Sequence, residues 1–267
     1  MSLRRIVVCA DDFAASAGVS RGIARLCKQG RVSAVSCLST SARWRDDFGL
    51  LRPMHKQLDV GLHLNLTTVF DSRPGMQVSR LLVRALARQL SLSSLRDAIE
   101  RQLDHFEDVA GCGPDHVDGH EHVHCFAQVR DVLLECLSRR YSGPLPYLRG
   151  MSTSAHTSRS VLKRAVLDAA AHGFAAAVTR AGFVQTQHLA GLYGFNRDYR
   201  RLLRLWLPKL PDGALLVCHP AATPTDAQDP LAHARQAEFA ALSGGRFLHL
   251  LQSQGLCIVR GRDLTSP

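Results

Sequence analysis

The chain has 267 residues, 46% hydrophobic and 21% charged, which suits a globular protein with a sizeable core and excludes a disordered or fibrous one. No apolar run reaches the length of a membrane span, and the start MSLRRIVVCADDF turns acidic too soon for a secretory leader. The formal charge of +10 is spread over dispersed arginines without a helix-turn-helix, zinc-finger or aromatic RNA-binding motif, so nucleic acid is not expected as a partner.

In chain order, RIVVCA (5–10) reads as a buried strand and 16–30 as a helix closed by Gly30. VSAVSCL (32–38) and LDVGLHLNL (58–66) read as the second and third strands, and 79–110 as one or two helices. PDHVDGH (114–120) is a short strand, 127–140 a helix, PYLRG (146–150) a strand and 157–172 a helix. The Gly- and Ala-rich stretch 174–196 gives only short ambiguous runs. After it, 198–207 is a basic amphipathic helix, ALLVCHP (214–220) a strand, 221–230 a Pro/Asp-rich loop, 231–254 a helix and GLCIVRG (255–261) the last strand. Strands alternating with helices argue for a mostly parallel α/β sheet. Their number favours a (β/α) barrel-like closure, a distorted or incomplete TIM-type barrel, over a doubly wound sheet. With no linker or repeat, residues 1–267 are expected to form a single domain. The eight cysteines form no CxxC pair and several lie in apolar runs; free thiols in a reducing compartment, the cytoplasm, account for that pattern.

The unusual polar residues fall at strand ends: Asp11 and Asp12 after the first strand, His63 in the third, Asp118 and His120 in the fourth, His219 after LLVC. Each alone has a bland reading, a helix-start carboxylate or a core histidine. In parallel α/β folds, however, the carboxyl ends of strands share one face, which carries the active site. Aspartate and histidine without cysteine suit one divalent metal ion, Mg, Zn, Mn or Co, held by three protein ligands as a hydrolytic centre. Such a centre also needs a base and an acid, and Asp11 and His219 are available. Within HVDGHEHVH, alternation places His116, Asp118 and His120 on one side of a strand. His122 and His124 follow the strand as supporting or substrate-facing groups, with solvated loop histidines as the alternative, and Glu121 is expected to point elsewhere.

IVVCADDF, GLHLNLT, HVDGHEHVH and VCHPA, in this order, resemble the YdjC-like carbohydrate deacetylases over nearly the whole chain. The resemblance implies a barrel-like fold, one divalent metal ion and removal of an acetyl group from an N-acetylated sugar or glycoconjugate. It implies Asp12, His63 and His120 as metal ligands, Asp11 as general base, His219 as general acid, and Arg235 and Glu238, in ARQAEF, as supports of the site. Two positions depart from the family pattern. Ala14 stands where DDFG has glycine, so a left-handed turn there would carry a modest cost. CFAQ (125–128) follows HVH where a proline is common.

A metal-dependent phosphoesterase is the alternative enzyme, ranked lower because the sequence offers one ligand triad and no clustered phosphate contacts there. A non-catalytic sugar-binding protein would need neither Asp11 nor His219. In the basic helix of 197–209, Arg197, Arg200, Arg201 and Arg204 fall near one face, with Leu202, Leu203, Leu205 and Trp206 as apolar surface. A solvated face is preferred to peripheral contact with an anionic membrane. Self-association is left open.

Overall fold

Eight strands, every pairing parallel, make up the sheet of the computed structural model, which describes residues 3–67, 75–152, 168–224 and 229–265. They are β1 (Arg4–Phe13), β2 (Ala34–Cys37), β3 (Asp59–Leu64), β4 (His116–Gly119), β5 (Tyr147–Leu148), β6 (His188–Ala190), β7 (Ala214–Cys218) and β8 (Leu256–Ile258). The hydrogen-bonded order is β5-β4-β3-β2-β1-β7-β6, and β8 pairs with Arg4–Ile6 of β1 before β2 begins at Cys9. The central runs Ile6–Ala10 and Ala214–Cys218 are wholly inaccessible to solvent, which explains why they read as continuous apolar segments: both faces of the sheet are covered.

The sheet curls towards closure. The stretch entering β6 reaches β5, with Leu148 N–H donating to the Val184 carbonyl at 2.8 Å and Thr186 N–H to the Leu148 carbonyl at 3.0 Å. Gly150 permits this approach, since a Cβ there would lie 1.8 Å from the Thr186 carbonyl oxygen. The expected barrel-like arrangement is therefore the observed one.

Helices cover the outside: α1 (Ala17–Lys28), α2 (Trp44–Asp47), α3 (Val78–Leu86), α4 (Leu92–Ala110), α5 (Ala127–Arg140), α6 (Phe174–Arg180), α7 (Tyr199–Trp206), α8 (Ala232–Leu242) and α9 (Gly245–Ser253). Their ends follow local chemistry. Ser16 caps α1 by accepting from Val19 N–H, Ser91 caps α4, and Asp198 caps α7 by accepting from Arg200 and Arg201. Gly111 ends α4 in a left-handed conformation. No helix of the described residues is long and apolar enough to cross a membrane.

Several boundaries differ from the sequence reading. β1 continues through Asp11 and Asp12 to Phe13 instead of stopping at residue 10. The helix expected over 231–254 is two, broken at Ser243–Gly244. The ambiguous stretch 174–196 contains α6 and β6. On α7, Leu202, Leu203 and Trp206 are buried as expected, but Leu205 faces solvent. Most of the helix expected over 157–172, and the middle of the loop 221–230, lie outside the described residues. All eight cysteines are free thiols; Cys112 is exposed and Cys257 half-buried.

Candidate active site

Asp11 and Asp12 owe their placement to a bulge. Ala10 pairs with Val35 of β2 and Phe13 with Cys37, so three steps along β1 match two along β2. Asp12 takes up the extra residue with a left-handed φ of 66°. In a regular strand consecutive side chains point to opposite faces. The bulge turns both carboxylates into one cavity of about 340 Å³ at the carboxyl end of the sheet. Ala14, with φ 74°, does adopt the left-handed turn that a glycine would take more easily.

His63 from β3 and His120 just beyond β4 meet Asp12 in this cavity. Oδ1 of Asp12 lies 3.0 Å from Nδ1 of His120 and 3.4 Å from Nε2 of His63. These three residues offer donor atoms within 4.8 Å of one another. The other oxygen of Asp12 accepts from Arg235 at 2.8 Å, and Arg235 also donates to Asp229 at 2.7 Å. Burial would raise the Asp12 carboxyl, but Arg235 and His120 hold it well below the usual range. His63 is fixed from behind by Asp118, whose Oδ1 lies 2.6 Å from Nδ1. Burial opposes a proton on His63, yet Asp118 and Asp11 raise its pKa to about 10. A carboxylate behind a histidine that faces a ligand position is a common metal-site arrangement.

Two further donor groups, Cys9/His116/Asp118 and Asp11/His63/Asp118, lie close enough to hold a cation. Arg149 already occupies both. It donates to both oxygens of Asp11 at 2.7 and 2.6 Å, touches Sγ of Cys9 at 3.2 Å and pairs with Asp118. With Asp11 and Asp118 it forms an almost wholly buried cluster. Burial favours neutral carboxyls, but the guanidinium keeps Asp11 below and Asp118 well below the usual range. The set Asp12/His63/His120 is the one whose three members all line the cavity.

His219 approaches from the end of β7. Its Nε2 lies 3.9 Å from Oδ2 of Asp11, and Phe195 packs edge-on at 5.3 Å between ring centroids. Burial pushes the imidazole down to about 4, only partly resisted by Asp11 and Asp12. From α8, Glu238 accepts from the His219 backbone N–H and from the Tyr193 hydroxyl, the latter at 2.6 Å. Burial lifts the Glu238 carboxyl to about 7. Leu192, Tyr193, Phe195, Pro230 and Leu231 give the cavity an apolar wall beside its acidic floor.

The rest of HVDGHEHVH divides. His116 turns inward, where Nε2 meets Ser36 Oγ at 3.0 Å and the ring stacks on Tyr147. His124 is fully buried and Nε2 donates to the Arg149 carbonyl at 3.1 Å, so it is neither a solvated loop residue nor part of the cavity wall. Burial, with Arg149 and His124 nearby, pushes His122 down to about 3, and His122 lines the cavity. Glu121, expected to point elsewhere, stands at the cavity rim because residues 121 and 122 both take left-handed φ. Sequence reading missed Arg149, whose one signal was a charged residue inside the strand YLRG, and missed Ser36, Tyr193, Phe195 and Asp229.

The model of the YdjC-like protein family matches residues 5–253. A chitooligosaccharide deacetylase of Proteus mirabilis is 31% identical over 137 residues, 49% of this chain and 54% of that protein. A carbohydrate deacetylase of Mus musculus is 31% identical over 196 residues, 66% of this chain and 58% of that protein. The matches thus span little more than half the length of either relative. In three dimensions the chain is similar to an Enterococcus faecalis V583 protein described as a cellobiose-phosphate cleavage protein. The TM-score is 0.72 at 21% identity, over 98% of this chain and 99% of that one. A peptidoglycan N-acetylglucosamine deacetylase shares the fold more distantly, with TM-score 0.54 and 13% identity over 97% and 86% of the two chains.

Proposed function

The chain belongs to the YdjC-like family, and from that premise we propose that it is a carbohydrate deacetylase, hydrolysing the acetamide of an N-acetylated sugar or glycoconjugate to an amine and acetate. The observation that carries the reading is one cavity lined by the Asp12/His63/His120 donor set, by Asp11 beside it and by His219. The relatives named as chitooligosaccharide and carbohydrate deacetylases support the substrate class.

Asp12, His63 and His120 would hold a divalent cation, and their chemistry fits one. The set is mixed oxygen and nitrogen without sulfur, its donors converge, and Asp118 and Arg235 fix two of its members. Zn, Mn, Co and Mg are all compatible with such a set. The cation supplies Lewis acidity, making water acidic enough to ionise near neutral pH and drawing electron density from an acyl oxygen.

The remaining steps belong to the protein. Asp11, kept ionised by Arg149, takes a proton from the attacking water. His219 is neutral in the resting cavity; its Nε2, which faces Asp11 at 3.9 Å, receives that proton from the Asp11 carboxyl, leaving Asp11 ionised again, and then gives it to the departing nitrogen. Proton and leaving group then balance, because what the water loses the amine gains. Leu192, Phe195, Pro230 and Leu231 limit water around the acyl group. Phosphoester hydrolysis fits less well. Among the described residues, Arg235 is the one guanidinium on the cavity wall, and it is committed to Asp12 and Asp229.

The test is mass-spectrometric detection of acetyl loss over a panel of N-acetylated sugars, after chelation and after return of each metal. Asp11→Asn is expected to retain the metal and lose turnover by about 10²–10⁴-fold. Full activity in that variant would remove the base assignment, and no acetate with any metal would remove the deacetylase reading.

A further inference from the structure

Four of the five non-glycine residues with left-handed φ among the described residues, Asp12, Ala14, Glu121 and His122, lie in the two stretches that carry Asp12 and His120. The bulge accounts for Asp12, and Ala14 turns directly after β1 ends. Glu121 (φ 52°, ψ 24°) and His122 (φ 60°, ψ 25°) are consecutive, which a chain of L-residues rarely accepts, since each pays a steric cost that glycine would not. Neighbouring contacts hold the turn. Cys125 Sγ donates to the His122 carbonyl at 3.0 Å, and the chain returns so closely over Gly119 that a Cβ there would lie 2.8 Å from His124 N. A strained pair so firmly held beside a cavity directs attention to what it presents.

What it presents is the His122 ring, in the cavity wall. The other polar groups there are largely committed. Asp11 is bound by Arg149, and Asp12 by Arg235, His63 and His120. The Tyr193 hydroxyl is bound to Glu238, and Arg235 to Asp12 and Asp229. His122 differs: its Nδ1 is buried without a hydrogen-bond partner. His219 likewise has an unpartnered buried Nδ1, but it already has a proton to deliver in the reaction above.

We propose that His122 is a substrate-binding residue, its imidazole hydrogen-bonding a ring hydroxyl of the N-acetylated pyranose and fixing the acetamide over the Asp12/His63/His120 set. The inference rests on the deacetylase reading. It explains why the turn keeps histidine where glycine would relieve strain: the ring is retained for the ligand and the backbone bears the cost.

The experiment uses the metal-loaded full chain with a short chitooligosaccharide as probe. It compares wild type, His122→Gly and His122→Gln by kcat and KM, metal stoichiometry and melting temperature, and measures probe binding calorimetrically on an Asp11→Asn background. His122→Gly is expected to keep its metal and raise Tm by about 2 °C, because glycine suits the left-handed turn. It should weaken probe binding and lower kcat/KM at least 10-fold, mostly through KM, about the effect of losing one good hydrogen bond. His122→Gln, which keeps a polar group at similar reach, should recover part of the binding. Unchanged KM and probe affinity in His122→Gly overturns the assignment. So does a fall in Tm or metal content parallel to the loss of activity, which would mark a structural residue. A wild-type protein that neither binds nor deacetylates any N-acetylated sugar overturns the deacetylase reading itself and this inference with it.

Discussion

Replacing Arg149 by methionine keeps an unbranched chain in the core and removes the guanidinium that bridges Asp11 and Asp118. The guanidinium is completely buried, its partners are at most 2% exposed, and it makes two hydrogen bonds to Asp11 plus a close pair with Asp118. Removing one partner from such a cluster leaves uncompensated buried charge, which costs about 3–5 kcal/mol. The loss depends on pH in a defined direction. In the wild type both carboxyls titrate below the ordinary range, so their contribution is complete above that range and fades only in acid. In the variant His63 is the main group left to oppose burial and cannot serve both carboxylates, so one carboxyl in the cluster titrates above its ordinary value. Stability then falls as pH rises from the ordinary value to the elevated one. The difference between the proteins should therefore be larger at pH 8 than at pH 5. Urea unfolding followed by fluorescence of Trp44 and Trp206, both buried, reads it directly. Arg149→Lys keeps the charge but not the two-pronged fork, so it should fall between them. A methionine variant within about 1 kcal/mol of wild type at both pH values would refute the reasoning, because stranding a buried carboxylate without its partner leaves no room for so small an effect.

Glu238, with burial lifting its carboxyl from near 4.5 to about 7, should make the protein less stable as pH rises across that interval and no worse above it. The full penalty is about 3 kcal/mol. Glu238→Gln should flatten the dependence and gain most at pH 8, and thermal melts showing equal shifts at pH 5 and pH 8 would count against the assignment. At Ala14, wholly buried with φ 74°, a β-branched side chain meets both strain and crowding, so Ala14→Val should cost about 2 kcal/mol or more. Ala14→Gly should stay within about 1 kcal/mol, since relieved strain and a lost buried methyl oppose each other. A freely tolerated valine in urea unfolding would contradict the left-handed turn.

Much of the fold is legible because it rests on local pattern. Continuous apolar runs such as VVCA and LLVC are what a sheet covered on both faces requires, and Ser16, Ser91 and Asp198 are caps placed by their own chemistry. The gathering of Asp12, His63, His120 and His219 was legible for a related reason: parallel strands end on one face, so residues far apart in sequence meet there. What the sequence hid depends on pairings between strands. The extension of β1 through the acid pair is a register slip against β2, and nothing in ADDF announces it. Arg149 looked like an odd charge in a strand because both its partners lie on other strands. Tyr193 and Phe195 follow β6, a three-residue strand too short to show a period. Glu121 was misplaced because strand alternation had already ended at Gly119.

The bulge in β1 also bears on how such a site can be gained or lost. One additional residue, absorbed where Asp12 turns left-handed, lets adjacent acids share a cavity that regular alternation would divide between two faces. Straightening that strand would require no change of either aspartate, yet one would leave for the opposite side of the sheet. A descendant could thus keep every proposed ligand, base and acid in its sequence and still be inert. Comparing such chains by motif alone would count it as active; the spacing between the acid pair and the β2 register is the better marker.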